Sequence, residues 1–550
     1  MKTKIILLTI IILGAFLRLI HLGNLPNSYS PDELAQGYTA FSLLQTGKDE
    51  WGNHNWFNLQ SFGDYKPPIQ TLLMIPSIKI FGLTPFAVRL PNALLSIFTI
   101  FLTYLIADLL FKNSRISLIS ALFISLSPWS LPLSRIALEA NIVVFIISLA
   151  TYFFLLSQQK SNIFLLSLSI IIFGTSLFTY HSAKIFTPLL LIILYLHQKT
   201  YRQPKFLITS VIIFSFFLGF NIYLNSQIKS NRTNDIAIFN PTDHWSYVSH
   251  SQYEMTQNGL PYPIVKLFYN KVIYLYETFI QNYLSYFSPQ FLITQGAGET
   301  TYGMIPGYGV LGLIPGLGFI LSIIFLIQKN TSETKKNCFL LLITIIIPPA
   351  IAALAKGQYS ANRVSLMMPF LQILAAFGLV SFISKINPKN QKAIWIIIAL
   401  SFTFTNFIFL QRYFFQGNQI LAQGMLYGHQ QANEYLNNVP ADHIIYSRKL
   451  SEPQAYVTFF NQIDPKITQS ESLNWSEYQQ KNLPFLDQLG EYQLDKFIFK
   501  EINIVSDIQL PNTLIIGRPE EFRDVKPDYI IYYPDKSYLK PAIYIYKTKI

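Results

Sequence analysis

Two adjacent carboxylates, Asp32 and Glu33, stand in the run Pro26-Asn-Ser-Tyr-Ser-Pro31-Asp32-Glu33-Leu-Ala-Gln-Gly-Tyr38, soon after the first long apolar stretch. A carboxylate held there can take a proton from an attacking hydroxyl, which typically contributes about 10²–10⁴-fold. The same pair also suits a helix start, because acids in a first turn favour the helix dipole. The two readings coexist, since a capped helix holds a carboxylate rigidly. Five cations complete the set: Lys66 in Phe62-Gly-Asp64-Tyr-Lys66-Pro67-Pro68, Arg89 in Phe81-Gly-Leu-Thr-Pro-Phe-Ala-Val-Arg89-Leu-Pro91, Arg135 in Ser134-Arg-Ile-Ala-Leu-Glu-Ala-Asn141, Lys184 in Tyr180-His-Ser-Ala-Lys, and Arg363 in Gln358-Tyr-Ser-Ala-Asn-Arg. Taken singly, Lys66 and Arg89 read as side chains snorkelling to lipid headgroups. Arg135 and Glu139, four apart, read as a pair across one helical turn. Taken together, these cations mark the same end of successive apolar runs, with Asp32 beside them. A phosphate anchored by a lipid tail sits at that depth, and Arg and Lys are the residues that hold it. Phosphate is a good leaving group, so transfer from it needs a base and fixed positive charge but no acid. Ordinary glycoside hydrolysis does need an acid.

The elements that must position these groups are those of a membrane protein. Of 550 residues, 51% are hydrophobic, 15% aromatic and only 13% charged; a soluble chain carries about twice that charge. The net charge of +12 does not imply a nucleic-acid groove, because residues 415–550 hold 13 Lys and Arg against 16 Asp and Glu. The positive excess therefore falls in the apolar part, much of it in short loops between apolar runs. The single cysteine, Cys338, excludes an intrachain disulfide and a thiolate metal cage. The N-terminal Met-Lys-Thr-Lys and the apolar run after it lack a small-x-small cleavage site, which predicts an uncleaved first span at about 4–20.

A bilayer is crossed by about 20 apolar residues. Further spans are expected near 91–111, 116–133, 138–157, 162–179, 183–197, 206–225, 304–327, 338–355, 363–383 and 392–414, eleven in all. The stretch 68–83, broken by Pro76, reads as interfacial. Alternate connections are basic: Lys2 and Lys4; Lys112 and Arg115; Lys160; Lys199, Arg202 and Lys205; Lys329, Lys335 and Lys336; Lys385, Lys389 and Lys392. The positive-inside rule then puts the N-terminus in the cytoplasm, and loop 21–90, loop 226–303 and the tail outside. The fold class expected is an α-helical polytopic membrane domain, 1–415, followed by a small soluble α/β domain, 416–550. In that tail, strands near 443–446, 496–499, 513–516, 529–533 and 542–546 alternate with helical patches at 426–438 and 452–461.

Other chemistries find little support. Gly307-Tyr-Gly309-Val-Leu-Gly312 leads into an apolar run and reads as close helix packing instead of a dinucleotide turn. The eight histidines form no HExxH pair, leaving Asp32, Glu33 and Asp64 as the carboxylates available to a divalent cation. Asn231-Arg-Thr and Asn474-Trp-Ser match glycosylation acceptors, which matter only in a secretory pathway.

On Asp32-Glu33, Lys66-Pro67-Pro68 and Phe81-Gly…Ala87-Val-Arg89-Leu-Pro91, in that order within one loop, the sequence resembles GT-C membrane glycosyltransferases. It is similar to the branch containing protein O-mannosyltransferases and bacterial aminoarabinose transferases. The likeness covers about 25–140, and the span pattern extends it towards 385. It implies a polyprenyl-phosphate sugar as donor, transfer with inversion to a glycan, lipid or protein acceptor, and Asp32 as the base. It also implies Glu33 positioning a substrate, Arg89 on the lipid phosphate, and Lys66 as the lysine of the first-loop element. Asp64, Arg135, Glu139, Lys184 and Arg363 join the substrate site by placement. Aminoarabinose transferases carry Glu before that lysine; Tyr65 stands here, with Asp64 one earlier. This puts both lipid A as acceptor and a metal site in doubt. A polysaccharide ligase or polymerase is the alternative, with His244, His250 and Glu254 in the later outer loop. A lipid-linked sugar flippase or transporter would instead show mid-span charges and repeat symmetry.

Overall fold

The computed structural model describes residues 1–61, 64–198, 203–227, 237–328, 333–481, 483, 486–535 and 539–548. Phe62-Gly63, Lys199, Arg202, Lys329 and the Asn231-Arg-Thr triplet lie outside the described residues, as do the side chains of Asp64 and His244.

The chain opens with α1 (Lys2–Leu19), α2 (Pro31–Thr46), a two-stranded hairpin of β1 (Leu59–Ser61) and β2 (Asp64–Lys66), α3 (Pro68–Phe81) and α4 (Pro85–Phe111). It continues through α5 (Ser114–Ser125), the short α6 (Ser130–Ser134), α7 (Glu139–Lys160), α8 (Ile163–Ser176), α9 (Ala183–Gln198) and α10 (Pro204–Ser226). Among the described residues, five helices are long and apolar enough to cross a membrane: α4, α7, α10, Glu333–Ala352 and Pro388–Leu421. Shorter apolar helices cover Ser114–Ser125, Ile163–Ser176, Ala183–Gln198, Leu313–Ile327 and Phe370–Ser384. Each of the eleven expected spans therefore contains a helix, but four helices are shorter than their apolar runs, among them α8, which ends at Ser176 short of 179. The run 116–133 breaks between α5 and α6. Residues 304–312 are a glycine-bearing loop, and 363–369 a turn with a 3₁₀ segment. The expected close packing at Gly309 is present, since a side chain there would collide with the backbone of Ile293.

Local sequence explains the elements nearest Asp32. Pro31 occupies the first turn of α2, Ser30 and Glu33 form a capping box, and Gly47 ends the helix in a left-handed conformation at φ 73°. Pro67 and Pro68 end β2 and start α3, which contains Pro76 and packs between α2 and α4. The Thr84 side chain accepts a hydrogen bond from Ala87 N–H at 3.3 Å and caps α4.

The helix beginning at Pro388 runs through residue 415 to Leu421, so no backbone break marks that position. Beyond it, six strands form one sheet in the order β4-β5-β3-β6-β8-β7, where β3 is His443–Ser447, β4 Tyr492–Leu494, β5 Phe497–Lys500, β6 Thr513–Gly517, β7 Tyr529–Tyr532 and β8 Pro541–Lys547. The central β3 is parallel to β5 and β6, with antiparallel strands outside. This domain has its own core, including Tyr446, Trp475 and Phe499, against which Trp51 of the first loop packs. A separate cluster joins the two halves: Tyr29, Leu34 and Tyr38 of the first loop pack with Val88 and Ala137 on one side and with Tyr456 and Phe459 on the other.

Candidate active site

Asp32 sits in the first turn of α2, and its Oδ1 lies 2.8 Å from Lys66 Nζ. The lysine arrives on β2, whose pairing with β1 sets Lys66 opposite Leu59. Exposure separates the partners: the Lys66 side chain is 9% exposed and that of Asp32 30%, so the carboxylate is the more open to a substrate.

The neighbouring acid does different work. Glu33 accepts from Arg89 at both oxygens, 3.0 Å from Nε and 2.8 Å from Nη2, and it also accepts from the backbone of Ser30 and Ala137. Both side chains are fully buried. Arg89 further donates to the carbonyls of Leu22, Pro26 and Ser28, with the Tyr29 ring 4.7 Å from its guanidinium carbon. Its nitrogens are thus engaged inside the protein, and the expected contact between Arg89 and a lipid phosphate does not fit this arrangement. The reason is geometric: α4 enters beneath the first loop, so the guanidinium meets carbonyls of that loop instead of the cavity. Arg135 behaves alike. It donates to the carbonyls of Leu17, Ile20 and Leu25 and is fully buried. It makes no turn-spanning pair with Glu139, because α6 ends at Ser134, with Arg135 just past its end, and a new helix begins at Glu139. Glu139 instead accepts from Gln36 Nε2 at 2.8 Å and is in electrostatic reach of Lys66 and Asp32.

Lys66 also borders a small open cleft, with His181, Lys184, Asn221 and Asn225 on its polar side and Phe57 and Phe178 on its apolar side. Lys184 Nζ donates to Asn225 Oδ1 at 2.9 Å. Two of the expected cations therefore share one cavity, formed where α9 and α10 approach the hairpin.

Arg363 reaches the site from another direction. It donates to the Lys356 carbonyl and interacts with Glu299, Tyr180 and Tyr302. Glu299 accepts from Ala361 N–H at 2.7 Å and so ties loop 295–312 to loop 356–363. Burial raises the Glu299 carboxyl above its ordinary range, opposed by its hydrogen bonds and by Arg363. Burial, with Asp32 and Glu299 adding to it, pushes the Tyr302 phenol up to about 12, so at neutral pH it is an un-ionised O–H donor beside Asp32 and Lys66. Sequence reasoning missed Tyr180, Tyr302 and Glu299. The available signal was Glu299, which is the single acid between Glu277 and Glu333. It also missed Arg18, buried in α1 and donating to Ser96 and Ser130 Oγ and to the carbonyls of Gly14, Ile124 and Ser125.

Of the three acids named for a divalent cation, the Asp64 side chain lies outside the described residues. Arg89 occupies both Glu33 oxygens, and among the described residues no three His, Cys, Asp or Glu side chains gather as a metal site.

Residues 65–223 match the sequence model of the family described as dolichyl-phosphate-mannose-protein mannosyltransferase. A search of curated proteins gives no match. Among solved structures, ArnT from Cupriavidus metallidurans bound to undecaprenyl phosphate aligns over 98% of this chain and 97% of its own, at 11% identity and TM-score 0.54. The apo form of the same ArnT aligns over the same shares at TM-score 0.53. The oligosaccharyltransferase AglB from Archaeoglobus fulgidus, in complex with an inhibitory peptide and a dolichol-phosphate, aligns over 85% of this chain and 60% of its own, at 11% identity and TM-score 0.46. The chain thus has the fold of ArnT, a GT-C fold, along nearly its whole length, and its segment 65–223 is similar to the mannosyltransferase family.

Proposed function

We propose that this protein transfers a glycosyl group from a polyprenyl-phosphate-linked sugar to an acceptor hydroxyl on the outer face of the cytoplasmic membrane. The observation that carries the proposal is the Asp32–Lys66 pair, placed beside a cleft that runs to Lys184. Asp32 takes the proton of the acceptor hydroxyl as its oxygen bonds to the anomeric carbon. The bond from that carbon to the phosphate oxygen breaks, and the electron pair leaves with the lipid phosphate. Lys66 and Lys184 stabilise the charge on that phosphate, an effect worth about 10²–10³-fold per well-placed donor. Attack opposite the leaving phosphate inverts the anomeric centre. Glu33 and Arg89 are positioning residues that fix the loop behind Asp32. Glu139, Tyr302 and Arg363 line the side where sugar hydroxyls need partners. That a polyprenyl phosphate is bound by ArnT supports the donor class, and the match at 65–223 supports glycosyl transfer. The acceptor is a glycan, lipid or protein hydroxyl.

The test is transfer from a radiolabelled polyprenyl-phosphate sugar by the purified protein in vesicles. Asp32→Asn is expected to lose about 10²–10⁴-fold in rate while eluting as a folded monodisperse species. Undiminished transfer by folded Asp32→Asn removes the mechanism.

A further inference from the structure

The site and the spans leave one large apolar surface without a role: the pair of helices Tyr262–Phe268 and Lys271–Ser285, within the loop between α10 and the helix Leu313–Ile327. Leu260, Ile264, Leu267 and Phe268 are exposed around the first helix, where Val265 alone is buried. On the second helix, Val272 and Tyr276 are exposed one turn apart, in line with the half-buried Phe279 and Tyr283. The exposures of Leu267 (65%), Phe268 (58%), Val272 (74%) and Tyr276 (66%) equal those of Phe216 (69%) on α10 and Phe404 (65%) on the helix Pro388–Gln411, side chains on membrane-spanning segments. Contiguous apolar patches of this kind mark interaction sites and are avoided on surfaces that face only water.

Two observations identify the occupant as lipid. First, the pair is rooted at the membrane boundary. Asn282 Nδ2 donates to the carbonyl of Ala355 at 3.2 Å, just past the end of the spanning helix Glu333–Ala352, so the second helix of the pair is tied at its C-terminal end to the end of a spanning helix. Second, from Asn258 to Tyr276 the only charged residues are Lys266 and Lys271, with no acid among them, while Tyr262, Phe268 and Tyr276 supply aromatic rings. Basic residues beside an apolar, aromatic face suit an anionic headgroup layer over acyl chains.

We infer that residues 260–276 form a monotopic anchor, embedded in an anionic lipid leaflet on the same side as the Asp32–Lys66 site. This inference is independent of sugar transfer and stands even if the transfer assay shows no activity.

Spin labels test it. Cys338 is the one native cysteine and is buried, so single-cysteine variants are made on Cys338→Ala: Leu267→Cys and Phe268→Cys in the patch, Phe216→Cys as the hydrocarbon reference and Gln257→Cys as the water reference. The proteins are reconstituted in vesicles of phosphatidylethanolamine and phosphatidylglycerol, and collision with oxygen is compared with collision with a water-soluble nickel chelate. Labels at 267 and 268 are expected to favour oxygen, with the sign found at 216 and opposite to that at 257. Equal or greater collision with nickel, as at 257, overturns the anchor. Protection from both reagents also overturns it, because a protein then covers the patch. Adding Lys266→Glu and Lys271→Glu together is expected to move both labels towards water; unchanged depth overturns the assignment to an anionic headgroup.

Discussion

Asp32 and Glu33 differ by one methylene and one position, yet their surroundings give them different work. Glu33 is enclosed with Arg89 in a two-pronged ion pair, while Asp32 meets Lys66 beside open space. Breaking a buried pair by removing one partner typically costs about 3–5 kcal/mol, because the other charge is left uncompensated. Arg89→Ala is therefore expected to lower the thermal unfolding midpoint sharply, as scanning fluorimetry reads it, and to lose activity through loss of folded protein. Lys66→Met has the other signature: stability is retained, and transfer falls about 10²–10³-fold. An equal midpoint shift in the two variants would refute this division. The sequence showed both acids in a first helical turn but not which one stayed partly exposed. The partners that decide it, Lys66 and Arg89, lie 34 and 56 residues away, beyond any local periodicity. The mistaken pairing of Arg135 with Glu139 has the same origin. Spacing of four means one face only if one helix continues, and here a helix ends between them.

At the scale of elements, α2 is held from two sides. The Tyr456 hydroxyl donates to the Tyr29 carbonyl at 2.8 Å, just ahead of the Asp32 turn; Tyr38 OH donates to the Ile463 carbonyl at 2.9 Å; and Gln469 Nε2 donates to Ser42 and Thr46. The C-terminal domain thus braces the helix that carries Asp32. Tyr456→Phe is expected to cost about 1 kcal/mol in stability and to lower kcat with little change in donor KM; a change confined to KM would count against bracing. Behind Tyr456 stands His429, stacked on it with ring centroids 3.8 Å apart, its Nδ1 2.8 Å from Tyr446 OH and its Nε2 3.0 Å from the Leu450 carbonyl. Burial, with Arg518 adding to it, lowers the His429 pKa to about 4. The unfolded chain binds this proton near pH 6.5 and the folded chain only near 4, so stability is complete above 6.5 and declines as pH falls between those values. The loss approaches about 3 kcal/mol. Unfolding midpoints across that window are expected to fall less in His429→Gln than in the parent; parallel curves would exclude His429 as the cause. The strands of this domain were legible because β-branched and aromatic runs alternate with turns. The short β4 and its pairing with β5 were not, since three residues carry too little pattern.

The whole molecule poses the question of side. Eleven apolar runs were visible in composition, but their ends near the site were overextended, because apolar residues there build loops. Irregular backbone at membrane depth is tolerated where it is buried in protein or lines a cavity. The segments 304–312 and 363–369 flank the residues around Tyr302 and Arg363, so a hydropathy count necessarily ran through them. The Asp32 loop, the hairpin carrying Lys66, the joined ends of α9 and α10 and the C-terminal domain all meet at one end. Lys112, Arg115, Lys160, Lys335 and Lys336 belong to connections at the other end of the same helices. That asymmetry predicts the site outside the cell, where donor sugars come on lipids and nucleotide sugars are scarce. Single cysteines at Asn55, exposed in the first loop, and Glu491, exposed in the C-terminal domain, are expected to react with a membrane-impermeant maleimide on intact cells. A cysteine at Ser114, exposed in the turn between α4 and α5, is expected to react only after lysis. The reversed pattern would place the base and its cleft in the cytoplasm, where the charge bias of the loops would have the wrong sign. Labelling of all three on intact cells would point to leaky cells and is checked with a cytoplasmic marker enzyme.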